Sequence, residues 1–413
     1  MTRSAQHHTD AQRVRELKKR PPIPADAAGA LPSLLSRIFS HGLLALCLCI
    51  ALVGCSQIGR PQGWSAGSVS GDSLFIGTME GEILAVHKET GDLAWRREIP
   101  TSEDSDRAIY GRPAVTEASV FVGGYDGTLY AYDWQGDLLW EEPLPGRIVG
   151  GPTVHGDYVL IGTGTVSSSN GAGGALHAID IETNDPNWTY RTDGPVWSSP
   201  TVENGVALVG SLDHNVYAVN LDDGSEKWRF RSGGAVSSGL AVSDGFVIFG
   251  SFDSTLYALD IETGSLVWRF DGASGWYWSA PLVVEGVVYA PSLDGNLYAL
   301  DAGTGDLTWV FDTEGGQVVG SPAVINGLIA VPVADGGDSR VALLESNGSL
   351  LAACRIGEDV RTSLEVDGDL IYFGAKDSTI RALRIKGNGN PDEEWVFVTN
   401  ADDPHPSDRP KAC

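Results

Sequence analysis

Two arginines stand where their neighbours are small or apolar: Arg112 in Tyr110-Gly111-Arg112-Pro113 and Arg361 in Val360-Arg361-Thr362-Ser363. A guanidinium can grip a carboxylate or phosphate through two parallel N–H donors, or pair with an Asp or Glu of its own chain. Aromatic rings recur in comparable segments, at Trp64, Tyr110, Trp197 and the run Trp276-Tyr277-Trp278. Such rings stack on a sugar or planar ligand, or simply fill space. Cys354 and Cys413 either form a bridge or remain two thiols, because the sequence holds no distance between them. No Ser/His/Asp nucleophilic set, Cys-x-x-Cys pair or phosphate loop appears. Asp335-Gly336-Gly337-Asp338 lacks the ligand spacing of a twelve-residue calcium loop and reads as a polar hairpin. No metal set is expected.

The first 54 residues differ from the rest. A polar segment containing Lys18-Lys19-Arg20 leads to the short apolar run GLLALCLCIALVGC, from Gly42 to Cys55. A basic region, a short apolar stretch and small residues before a cysteine describe an export signal, too short to span a bilayer comfortably. The whole chain carries 28 Lys+Arg against 54 Asp+Glu, a net charge of −26, and the basic leader leaves the remainder more acidic still. Such a surface repels nucleic acid and anionic headgroups, so no nucleic-acid partner is expected. The reading divides the chain into a leader (1–54), a tether (55–62), a repeat body (63–400) and a loose, Pro- and charge-rich tail (401–413).

The body is internally repetitive. A tryptophan closes each copy at Trp95, Trp140, Trp188, Trp228, Trp268, Trp309 and Trp395, with Leu351 in the vacant slot. Within a unit the apolar period is two. In GVVYAPSLDGNLYALDAGTGDLTW, Asp294-Gly295 and Thr304-Gly305 punctuate β-rich runs, as glycine accepting positive φ does in tight turns. The same chemistry explains Asp126, Asp213, Asp253 and Asp377 as turn residues. A short strand after a small-residue pair, often with Pro, completes four antiparallel strands. Such a unit cannot bury both faces alone, and a radial arrangement lets copies cover each other. The fold class is therefore all-β, an eight-bladed β-propeller of four-stranded antiparallel blades. Its axis is lined just before each inner strand, at Trp64, Tyr110, Val149, Trp197, Val236, Trp278, Val319 and Val360. The next positions, Ser65, Gly111, Gly150, Ser198, Ser237, Ser279, Gly320 and Arg361, are mostly small, as crowding demands.

The pattern A-x-D-x-x-T-G-x-x-x-W resembles the pyrroloquinoline quinone (PQQ)-like propeller repeat. It is complete at Ala258, Asp260, Thr263, Gly264 and Trp268, and again at Ala299, Asp301, Thr304, Gly305 and Trp309. One unit has Asn184 for Gly, and the last two units lose most of the motif. In this family the tryptophan docks between adjacent blades, which implies a structural role for all seven; burying such an indole contributes about 2–3 kcal/mol. Leu52-Val53-Gly54-Cys55 resembles a bacterial lipobox, implying lipid modification of Cys55 and anchoring to the outer face of a bacterial membrane. Together these features resemble lipoproteins of the BamB type, non-catalytic scaffolds that hold envelope protein partners during outer-membrane barrel assembly. Quinone-dependent dehydrogenases share the repeat, but many carry a vicinal disulfide and an axial Glu/Asn/Asp calcium set, and no Cys-Cys pair occurs here. The expectation is a scaffold without bound PQQ. A small-ligand or sugar sensor using the axial channel, through Arg112, Arg361 and the rings, is the alternative; a PQQ-dependent dehydrogenase is the remaining one. Family membership alone decides none of these.

Overall fold

The computed structural model describes residues 65–100, 107–165, 173–399 and Cys413, together with the backbone of 405–406. The leader, Cys55, the tether and Trp64 lie outside the described residues, as do most of the tail and residues 166–172 of the Ser/Gly-rich 163–174 loop. All the described residues fall within one unit, 61–413.

Eight antiparallel sheets succeed one another, each built from consecutive strands. They span residues 68–98, 114–143, 153–192, 201–231, 241–270, 282–312, 323–355 and 365–406, here blades 1 to 8. Seven have four strands; blade 8 has a fifth, His405–Pro406, paired to its outer strand Pro391–Val398. The short inner strands, such as Ala241–Ser243 of blade 5 and Leu282–Val284 of blade 6, meet one another around the axis. Among the described residues no helix is long and apolar enough to cross a membrane.

The core lies between blades. Eight hydrophobic clusters each combine residues of two neighbouring sheets. Ile248, Leu256 and Ala258 of blade 5, for example, pack with Val288, Tyr298 and Leu300 of blade 6, all buried. This is how a unit with two apolar faces finds cover. The eighth cluster joins Leu74, Ile76 and Leu84 of blade 1 to Leu370, Tyr372 and Phe397 of blade 8. The ring therefore closes face to face, with no N-terminal strand inserted into blade 8 among the described residues.

Each outer strand carries a β-bulge beside its key residue. In blade 5 Ala258 faces Trp268 and the next pair is Leu259 with Leu266. In blade 7 the matching pairs are Leu343 with Ala352 and Leu344 with Leu350. By register Ala352 faces Leu343, because the preceding turn is one residue shorter, but Leu351 takes the tryptophan's place against the next blade's turn glycine: an added Cβ at Gly389 would collide with its Cδ2. Leu351 sits one residue earlier, 45 % exposed.

Candidate functional site

The motif tryptophans sit where outer strands meet the next blade. The indole N–H of Trp95 donates to Trp134 O at 2.8 Å, and Trp188 to Leu221 O at 2.7 Å. Trp228 donates to Ile261 O, Trp268 to Ala302 O, Trp309 to Ser346 O and Trp395 to Lys88 O, at 2.9–3.0 Å. Each ring lies against a turn glycine of that blade. At Gly305, with φ +72°, an added Cβ would stand 2.6 Å from the Trp268 ring. Where Asn184 replaces this glycine, with φ 54°, Trp140 donates no such bond among the described residues. Asn tolerates the left-handed backbone but brings a Cβ into the space the indole needs.

The turn carboxylates are similarly occupied. Asp253 accepts Thr255 N–H, Gly233 N–H and the Tyr257 hydroxyl, the last at 2.6 Å. Asp294 repeats this with Asn296, Ser274 and Tyr298, and Asp126 and Asp213 with Tyr130 and Tyr217. Burial and the adjacent carboxylate push these tyrosine hydroxyls well above their ordinary pKa. Blade 8 places Arg381 at the tyrosine position, bonded to Asp377 at 3.0 Å and to the buried Glu393 at 2.9 Å. Blade 3 places His177 there, between the hydroxyls of Thr163 and Thr189 at 3.0 and 3.1 Å. Burial, aided by Arg191, lowers the His177 pKa to about 4. Among the described residues no three His, Cys, Asp or Glu side chains converge as a metal-ligand set.

At the axis the structure redistributes the expected site. Tyr277 is 1 % exposed and belongs to the core between blades 5 and 6, because side chains alternate along extended backbone and its two neighbours take the other side. Trp197 is buried too and offers no free ring face. Tyr110 is half-buried and stands edge-on to Tyr125 at 5.2 Å. Val196, Val236 and Tyr277 make equivalent backbone bonds to the preceding blade, so the residues matching Trp197 and Trp278 are Ser237 in blade 5 and Arg361 in blade 8. Arg361 thus belongs to the ring of mouth residues, one position from where spacing put it.

Both arginines are engaged by acids. Arg112 donates to Glu365 Oε1 at 2.6 Å and to Ser68 Oγ at 2.8 Å, tying blades 8, 1 and 2. Burial pushes the Glu365 carboxyl above its usual range, with Arg112 opposing. Arg361 donates to Asp359 at 2.8 Å. Burial alone would raise Asp359, but bonds from Arg361, Ser339 and Gly336 N–H hold it below the ordinary carboxylate range. The Asp335–Asp338 turn is fixed by these same contacts: Gly336 N–H donates to Asp359 and Ser339 Oγ bonds it at 3.1 Å.

The exposed feature of this face is an aromatic stack. Phe252 lies between Trp276, at 4.8 Å and 11°, and Trp278, at 5.5 Å and 14°. Trp276 is 45 % exposed. Phe252, Glu365 and Asp359 went unnoticed in the sequence; the signal for Phe252 is its place one residue before the turn aspartate, shared with Tyr125.

Cys354, fully buried on the outer strand of blade 7, is disulfide-bonded to Cys413. It lies two residues beyond Ala352, on the same strand face.

These features define an eight-bladed propeller of PQQ-like repeats. The chain belongs to the family whose profile is described as "Outer membrane protein assembly factor BamB", matched over residues 53–171, 135–235 and 212–352. It is 25 % identical over 151 residues to outer membrane protein assembly factor BamB of Yersinia pestis, covering 34 % of this chain and 36 % of that one. It is also 27 % identical over 190 residues to a polyvinylalcohol dehydrogenase of a Pseudomonas species, covering 36 % and 29 %. The matched part thus spans about a third of the length of these curated relatives. The crystal structure of BamB from Moraxella catarrhalis superposes with a TM-score of 0.64 at 20 % identity, covering 78 % of this chain and 94 % of that one.

Proposed function

We propose that this protein is a non-catalytic scaffold of the bacterial cell envelope, lipid-anchored through Cys55, that holds protein partners engaged in outer-membrane protein assembly. The observation that carries this reading is the family match, which runs from residue 53 to residue 352, in the outer strand of blade 7, and so includes most of the ring. The chemistry of the site agrees with it. The turn carboxylates are bonded within their own blades, Arg112 and Arg361 are paired with acids, and Cys354 and Cys413 lie in one disulfide at the outer edge. The sequence has no Cys-Cys pair and the described residues bring together no set of three acidic or other metal-ligating side chains, which supports the reading without a bound quinone and calcium. The test is a pull-down of the natively anchored protein from solubilised membranes. Recovery of a barrel-assembly partner is expected; its absence at stoichiometric bait defeats the reading.

The match to a polyvinylalcohol dehydrogenase supports a second reading, a quinone-dependent alcohol oxidation. A dye-linked assay with added quinone and calcium separates the two. The scaffold reading requires no turnover, and calcium-dependent activity would overturn it. The third possibility, a sugar or acid bound at the axis, requires Arg112→Ala and Arg361→Ala to change a ligand-induced thermal shift.

A further inference from the structure

The aromatic stack of blades 5 and 6 is built rather than incidental. Leu293 N–H donates to Trp276 O at 2.9 Å, Phe252 N–H to Ala235 O at 2.9 Å, and Tyr277 N–H to Ser251 O. The backbone carrying the three rings, at 251–252 and 276–278, is thus tied together and to Ala235 and Leu293, and Trp276 is the most exposed of the rings. Among the large hydrophobic side chains exposed on the described surface, Trp276 is the aromatic one.

The molecule itself shows what suits a ring at this place. In blade 2 the position of Phe252 is occupied by Tyr125, whose N–H donates to Ala108 O as that of Phe252 does to Ala235 O. The Arg147 guanidinium covers the Tyr125 ring at 4.4 Å. Arg229 likewise lies over Tyr217 at 5.6 Å, and Arg97 over Trp95 at 5.8 Å. The cation–π pairs among the described residues do not include Phe252, Trp276 or Trp278. Residues 250–256, 271–281 and 291–296 contain Asp253, Asp271 and Asp294 but no basic side chain. Asp253 adjoins Phe252 in sequence, and Asp294 adjoins the residue bonded to Trp276 O. An exposed indole face in segments whose charged residues are all aspartates, on a chain of net charge −26, attracts a desolvated cation by ring quadrupole and by field together.

We propose that the Trp276 face is a docking surface for a cationic segment of a protein partner, with an arginine or lysine side chain stacked on the indole. The inference rests on the scaffold reading and gives its partner a chemistry. The full chain is titrated by calorimetry at low ionic strength with a capped decapeptide alternating Gly and Arg, and with its Gly-Glu counterpart. The Arg peptide binds, the Glu peptide does not, and binding weakens with salt. Trp276→Ala weakens the Arg peptide about three- to fivefold, as loss of an exposed cation–π contact does, and Trp276→Phe recovers part of this. Circular dichroism confirms that both variants keep the wild-type fold, as expected for a surface ring. Equal affinity of wild type and Trp276→Ala overturns the proposal, as does equal binding of the Glu peptide. Displacement of the Arg peptide by maltoheptaose overturns it in favour of a sugar platform. Recovery of an assembly partner from membranes with an unchanged Trp276→Ala affinity defeats the docking inference alone. Trp276-dependent peptide binding with no partner recovered defeats the scaffold reading alone.

Discussion

At the junction of blades 5 and 6, Trp268 lies over Gly305 and donates its indole N–H to Ala302 O. At the junction of blades 7 and 8 no indole crosses: the smaller Leu351 lies against the turn glycine Gly389, and Ala352 takes the paired strand position. Two residues further along that strand, on the same face, Cys354 is bonded to Cys413, which follows the outer strand of blade 8. Backbone 405–406 of the intervening segment pairs with that outer strand. An indole clamp at one junction thus corresponds to a leucine contact and a covalent staple at the other. The difference teaches that the clamp is replaceable wherever something else holds neighbouring blades together. Where the seventh and eighth units diverge in sequence, the staple and the bonds of Asp359 to Ser339 and Gly336 N–H link the two blades.

The largest expected effect is at the regular junction. Trp268→Ala removes a buried ring and its hydrogen bond and should cost about 3–5 kcal/mol, read by denaturant unfolding. A loss below about 1 kcal/mol would show the indole to be dispensable there. Next comes the staple. The bond closes a sequence separation of 59 residues, and Cys413→Ser or reduction should cost about 2–4 kcal/mol. Reductant should lower the unfolding midpoint of wild type and of Trp268→Ala alike, and leave Cys413→Ser unmoved. A reductant effect on Cys413→Ser would break the comparison.

A third effect comes from blade 3, where His177 takes the tyrosine position. Its folded pKa of about 4 lies below the unfolded value of 6.5, so the unfolded chain takes up the proton first as pH falls. Stability should therefore drop between pH 6.5 and 4, by up to about 3 kcal/mol from this group. His177→Gln should flatten that slope in a pH series of unfolding midpoints; an unchanged slope contradicts the assignment. The smallest effect sharpens the role of the turn glycine. Trp140 faces the turn of Asn184 and makes no indole bond among the described residues, so Trp140→Ala should cost about 1 kcal/mol less than Trp268→Ala. Equal losses would mean that the hydrogen bond contributes nothing.

The blade count, the strand order and the turn chemistry were legible because they repeat: eight copies of one period leave little room for another fold. What repetition hid was register where copies degenerate. A turn shortened by one residue put Ala352 in the paired register while Leu351 kept the contact with the turn glycine, and entry segments without Pro moved Ser237 and Arg361 by one position. The site was harder still. Trp276, Tyr277 and Trp278 look alike in sequence, but alternation sends Tyr277 into the core and leaves Trp276 on the surface. Arg112 reads as an unclaimed cation until Glu365, 253 residues away, is brought beside it by ring closure. Pairing of Cys354 with Cys413 was one of two open outcomes, and only the placement of the last strand brings them together.

The central claim is that the Cys354–Cys413 bond makes up for the smaller contact of Leu351 on Gly389 where an indole is missing. Amide hydrogen exchange with and without reductant tests it most directly, since local opening reports which blades come apart. The account predicts faster exchange on reduction in Leu350–Arg355 and Pro391–Val398, with Leu266–Phe270 and Asn296–Asp301 unchanged. Unchanged protection at Leu350–Arg355, or a uniform rise around the whole ring, would contradict it.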